Sequence, residues 1–163
     1  MNLNSSRFGE IEINDDSIIT FPGGLPGLEE FERYAIIRCE PTEPIQWLQS
    51  VDDMDLALPV INPFIIHPGY EVEVEDSELE FIKSTNEEDL IVLNVMVLPD
   101  KLSDMTVNLL APILINIKDM IGTQVMMDHK SFSIAYPAFE ALAKFYEEES
   151  KEADDAGSVE KGQ

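Results

Sequence analysis

Tyr70-Glu71-Val72-Glu73-Val74-Glu75 alternates apolar and acidic residues without a break. A β-strand points successive side chains to opposite faces, so this stretch sets Tyr70, Val72 and Val74 on one face and three carboxylates on the other. It reads as a half-buried strand with an acidic outer face. Short runs of the same kind lie on either side of it: Gly9 to Ile13, Ile18 to Phe21, Tyr34 to Arg38, Ile45 to Leu48, Leu56 to Ile61, Leu90 to Leu98, Thr106 to Leu110, Ile113 to Ile117 and Thr123 to Met127. They are rich in Ile, Val, Leu and aromatics and are bounded by Pro, Gly, Asn and Asp. The pattern predicts an all-β fold, a barrel or a sandwich. Leu90 to Leu98 and Ile113 to Ile117 are nearly continuous apolar runs, as expected of central strands covered on both faces.

Between these runs, Phe21-Pro22-Gly23-Gly24-Leu25-Pro26-Gly27-Leu28 combines prolines that fix φ with glycines that permit positive φ, and so predicts a shaped turn, with one helical turn over Glu29 to Glu32. Asp76 or Ser77 caps a short helix running to Ile82. After Tyr136 the period changes. Pro137 suits a first helical turn, and Phe139, Leu142, Phe145 and Tyr146 recur at helical spacing, which predicts an amphipathic C-terminal helix. From Ser150 onward almost nothing is available to bury, and the composition predicts a disordered acidic tail. The organisation expected is a β domain over 1–137, a helix over 138–149 and a tail over 150–163.

The charge is extreme: 33 acidic against 10 basic residues give a net of −23. The tail from Glu147 to Gln163 accounts for −5, which leaves −18 on the folded body. Such a surface repels phosphate backbones and anionic lipids and attracts basic partners, so direct binding to nucleic acid or membrane is disfavoured. General solubility or adaptation to salty surroundings would produce the same composition. Cys39 is the sole cysteine, which excludes an internal disulfide and a cysteine-based zinc site and points to a reducing cytoplasm. The N-terminus lacks the basic-then-apolar pattern of a secretory signal, and no apolar run approaches the ~20 residues of a membrane-spanning helix.

No motif supports catalysis or a cofactor. His67 and His129 are isolated, without the spacing that puts two ligands on one helical face. Asp52-Asp53-Met54-Asp55 lacks the glycine and distal glutamate of a calcium loop and reads as a turn or a partner contact. Gly23-Gly24 and Gly27 match no nucleotide-binding pattern, and Cys39 has no histidine tied to it by motif. Met96, Met105, Met120, Met126 and Met127 read as core filler. Trp47, Phe21 and Pro26 read as core and turn.

Four segments in register carry a resemblance: Phe8-Gly9-Glu10-Ile11, Phe21-Pro22-Gly23-Gly24-Leu25-Pro26-Gly27, Trp47-Leu48-Gln49-Ser50 and Met105-Thr106-Val107-Asn108-Leu109-Leu110-Ala111-Pro112-Ile113. Together with Asn62-Pro63-Phe64 and Gly122-Thr123-Gln124-Val125, they make the chain similar to the FliW flagellar assembly factors from Arg7 to Pro137. Where many relatives end near a His-Pro pair, this chain has Tyr136-Pro137 and continues into the helix. The resemblance implies a compact, barrel-like arrangement of antiparallel strands and a non-enzymatic, cytoplasmic protein, monomeric when free, that binds the translational repressor CsrA, relieves its block on flagellin mRNA, and exchanges it for flagellin. A different reading is an acidic export chaperone for flagellin-like chains with no effect on CsrA. The residues expected to touch a partner are the acidic row Glu71, Glu73 and Glu75, the neighbouring Asn62, Pro63 and Phe64, and the Asp52 and Asp53 turn.

Overall fold

The computed structural model describes residues 1–128 and 132–161, with side chains through Glu152; His129 therefore lies outside the described residues. In chain order the elements are β1 (Asn2–Ser5), β2 (Gly9–Glu12), β3 (Ile18–Thr20), β4 (Arg33–Arg38), β5 (Gln46–Ser50), β6 (Ala57–Ile61), α1 (Pro63–Ile66), α2 (Asp76–Phe81), β7 (Leu90–Val97), β8 (Thr106–Val107), β9 (Ile113–Asn116), β10 (Ile121–Gln124), β11 (Tyr136–Pro137) and α3 (Phe139–Lys161). Single 3-10 turns at Asp15–Ser17, Glu40–Thr42, Glu87–Asp89 and Leu102–Asp104 punctuate them.

Seven strands close a barrel. Antiparallel pairs run β3–β4–β5–β6–β7, β7 also pairs with β9, and β9 with β10. The ring shuts where β10 meets β3, and this seam is parallel, through Ile121 opposite Thr20 and the Thr20 N–H on the Met120 carbonyl at 3.0 Å. The expected all-antiparallel arrangement therefore has one exception. β8 and β11 extend the sheet beyond the end of β7, and β1–β2 form a separate hairpin.

The alternation along each strand explains the cores. Tyr34, Leu48, Val60, Leu93, Ile113 and Ile115 point inward and fill the barrel. Their outward neighbours Trp47, Ile61, Met96 and Val107 build a second core, closed by Ile66 of α1, Tyr70, and Ala138 and Leu142 at the C-terminal helix. Leu114 of β9 is covered from outside by Ile82, just beyond α2, and by Val125, which accounts for the uninterrupted apolar run of this strand. Burying each large aliphatic side chain contributes roughly 1.5–3 kcal/mol before entropy is subtracted. At the shaped turn, Gly24 has φ +74 and a Cβ there would lie 2.5 Å from the Glu29 Cα, so both conformation and space demand glycine.

Three expectations are corrected. Tyr70–Glu75 keeps the predicted alternation, with Tyr70 buried and the glutamates exposed, but it pairs with no strand; Val72 and Val74 lie against neighbouring side chains instead. Glu29–Glu32 forms turns without a helix. The C-terminal helix starts at Phe139, past Pro137, and runs to Lys161 rather than ending at 149, so most of the expected disordered tail is helical; Gly162 and Gln163 lie outside the described residues. Glu, Lys and Ala favour helix even with nothing to bury, and Lys151 pairs with Glu147 one turn away.

Candidate functional site

The Asp52-Asp53 turn is built from beneath by two buried polar residues of β5. Ser50 Oγ accepts the N–H groups of Asp52 and Asp53 at 3.1 and 3.0 Å. Gln49 is fully buried, and its Nε2 reaches the carbonyls of Ser50, Asp53, Met54 and Leu56 at 3.1–3.4 Å. Its Oε1 accepts from Ser5 Oγ at 2.7 Å, which ties the N-terminal hairpin to the barrel. Asp52 forms a two-pronged ion pair with Arg33, and its hydrogen bond and charge raise the guanidinium pKa. Asp53 Oδ1 is occupied by the Asp55 N–H at 2.9 Å. The charge of Asp52 is thus matched locally by Arg33, while Asp53 holds a backbone N–H.

Asn62, Pro63 and Phe64 lie at the opposite end of β6, ~17 Å away for five extended residues. Asn62 caps α1, its side chain accepting the Phe64 N–H at 3.0 Å, and Pro63 is buried in the first turn. Phe64 remains 43% exposed, its ring edge-on to Tyr70 at 5.9 Å. Tyr70 is a fixed base for it: the hydroxyl donates to the Leu109 carbonyl at 2.6 Å and accepts from Asn94 Nδ2 at 3.2 Å. Burial raises the Tyr70 pKa, so the hydroxyl keeps its proton.

Directly after Tyr70, Glu71, Glu73 and Glu75 project to solvent while Val72 and Val74 lean inward. The Glu73 N–H donates to the Met127 sulfur at 3.3 Å. Phe64 thus packs on Tyr70, the residue from which the acidic segment runs, while the Asp52-Asp53 turn lies at the other end of β6.

Trp47 is core: it is buried, its Nε1 donates to Thr42 Oγ1 at 3.1 Å, and the Arg7 guanidinium lies 4.2 Å over its ring. Met96, Met105 and Met127 are buried as read, but Met126 is 70% exposed beside Glu73 and Glu75 and is not core filler. Sequence reasoning missed the Gln49 anchor, although a glutamine inside the apolar run Trp47-Leu48-Gln49-Ser50 was the available signal. It also missed an apolar groove between α3 and the Leu102–Asp104 turn. Among the described residues there is no group of three or more His, Cys, Asp or Glu that could hold a metal, and no helix long and apolar enough to cross a membrane.

A family model described as FliW protein matches residues 2–138. The flagellar assembly factor FliW of Caldanaerobacter subterraneus subsp. tengcongensis is 36% identical over 147 residues, 90% of this chain and 98% of that protein. The FliW of Alkaliphilus metalliredigens is 36% identical over 152 residues, 93% of this chain and 94% of that one. A crystal structure of the flagellar assembly factor FliW superposes with a TM-score of 0.79 at 30% identity, covering 85% of this chain and 96% of that one. FliW is an assembly-factor family and not an enzyme family. The seven-stranded barrel, the shaped glycine turn and these matches agree, and the chain belongs to the FliW family of flagellar assembly factors.

Proposed function

We propose that this flagellar assembly factor acts in the cytoplasm by capturing a CsrA-type RNA-binding repressor, relieving repression of flagellin mRNA, and that flagellin competes for it in a partner switch. The observation that carries this reading is Phe64, held exposed over Tyr70, from which the segment bearing the exposed Glu71, Glu73 and Glu75 runs. An exposed aromatic on a rigid base supplies the kind of anchor that dominates protein interfaces, while the carboxylate row supplies selectivity for a basic partner. A body charge near −18 accelerates encounter with a basic RNA-binding protein and repels the RNA that this partner would otherwise hold. Neither step needs a bond to be made or broken.

The test is an RNA gel-shift with a purified CsrA-type repressor, a flagellin leader RNA and this protein. Release of the RNA on addition of the protein, and its recapture when flagellin is added, supports the reading. If the protein binds flagellin while leaving the repressor–RNA complex intact, the proposal fails and an export chaperone is the better description.

A further inference from the structure

An apolar groove runs between α3 and the Leu102–Asp104 turn. Met105 and Leu142 are buried in its floor, while its rims keep Leu102 55%, Tyr146 45% and Phe139 42% exposed. On α3 the lining positions Phe139, Leu142, Ala143 and Tyr146 follow the i, i+3, i+4, i+7 pattern. They make one apolar stripe about 10 Å long, two turns of helix. The barrel covers part of this stripe and leaves its outer half open.

The walls also limit the shape of an occupant. The turns beside the groove satisfy their own backbone donors, with Thr42 N–H on the Cys39 carbonyl at 2.9 Å, Asp104 N–H on Lys101 at 2.9 Å and Met105 N–H on Leu102 at 3.0 Å. The third wall is a helix. Among the described residues no lining residue belongs to a strand, so an added strand has no ladder to join, whereas a helix satisfies its own backbone and presents only side chains. Charge then selects the sequence of that helix. Glu40, Glu43, Asp104, Glu140 and Glu147 stand exposed immediately beside lining residues, against Lys101 and Lys144. A second copy of this chain would bring the same negative rim.

We infer that this groove receives an amphipathic helix of two to three turns from a partner protein, apolar on one face and flanked by lysine or arginine. The inference rests on the partner-capture reading above and assigns it a second contact surface, built on α3 and the Leu102–Asp104 turn.

The experiment uses the full chain and two synthetic peptides of identical lysine- and leucine-rich composition, one with leucines at i, i+3, i+4 and i+7 and one scrambled to remove the stripe. Binding is followed by fluorescence anisotropy for wild type, Leu102→Glu, Tyr146→Glu and the control Met126→Glu, each checked for unchanged circular dichroism. The striped peptide is expected to bind at least tenfold more tightly than the scrambled one, to lose at least tenfold with each groove variant, and to be unaffected by M126E. Equal binding of the two peptides, or wild-type affinity in L102E and Y146E, overturns the inference. A dimer in sedimentation that L102E dissolves gives the groove to a second copy and overturns it too. Failure of the partner-capture reading would show differently, as an unmoved repressor–RNA complex in the gel-shift whatever the peptides do.

Discussion

Replacing Gln49 by Leu removes the buried amide that holds the β5–β6 turn and the N-terminal hairpin together. The side chain is fully buried, its Nε2 serves carbonyls of Ser50, Asp53, Met54 and Leu56, and its Oε1 serves Ser5. Leucine preserves most of the volume but none of these bonds. An amide has two N–H donors, so at least two carbonyls and one hydroxyl lose a partner in a site that water does not reach freely. At roughly 1 kcal/mol for each, with part of the desolvation penalty added, the loss comes to about 3 kcal/mol. For a chain of this size each kcal/mol shifts the midpoint by roughly 2–4 °C, which predicts a Tm lower by about 6–12 °C. Trp47, the single tryptophan and buried, reports the transition by fluorescence. Hydrogen exchange at Asp53 to Leu56 and at Ser5 to Phe8 is expected to rise together in Gln49→Leu. A loss under about 1 kcal/mol, or faster exchange in the turn without the hairpin, would refute the reasoning that one amide couples them.

Three further outcomes follow from the same geometry. Tyr70→Phe loses the hydroxyl between Leu109 and Asn94 and is expected to destabilise by about 1–2 kcal/mol in urea titration while Phe64 keeps its ring contact. Gly24→Ala meets both a φ of +74 and the Glu29 backbone, and a loss of at least about 2 kcal/mol is expected in the same assay. The Glu29 carboxylate accepts the Gly27 N–H at 3.0 Å, and this backbone bond lowers its pKa below the ordinary 4.5. A depressed folded-state pKa gives stability that is present above the unfolded pKa and lost as pH falls through the folded one. Carbon-detected titration should therefore place the Glu29 midpoint below 4.5, and Glu29→Gln should flatten the acid limb of the stability profile.

The strands of the barrel were legible because each has one face toward an apolar core, and period two records that directly. Tyr70–Glu75 shows the limit of the signal: alternation reports which side chains are buried, not whether the backbone has a neighbour, and here Val72 and Val74 are covered without a ladder. β1 escaped notice because only Leu3 and Ser5 point inward and one of them is polar. The parallel seam between β3 and β10 is a contact between residues about a hundred positions apart, with no local trace. The long α3 was misjudged because burial was used where helix propensity decides. For the candidate surface, the sequence offered Phe64, the acidic row and the Asp52-Asp53 turn together, and it carried no sign that the five residues of β6 stand between Asn62 and that turn. Leu102 and Tyr146 come together only when α3 folds back over Met105.

The central claim, that a partner is gripped at Phe64 and selected by the adjoining carboxylates, is tested most directly by calorimetric titration of a purified CsrA-type repressor into wild type, Phe64→Ala and a triple Glu71→Gln, Glu73→Gln, Glu75→Gln variant at several salt concentrations. The account predicts that Phe64→Ala weakens binding at least tenfold at every salt concentration, about 1.4 kcal/mol or more, and that the triple variant binds more weakly with a flatter salt dependence. Wild-type affinity in Phe64→Ala, together with an unchanged salt slope in the triple variant, would contradict it.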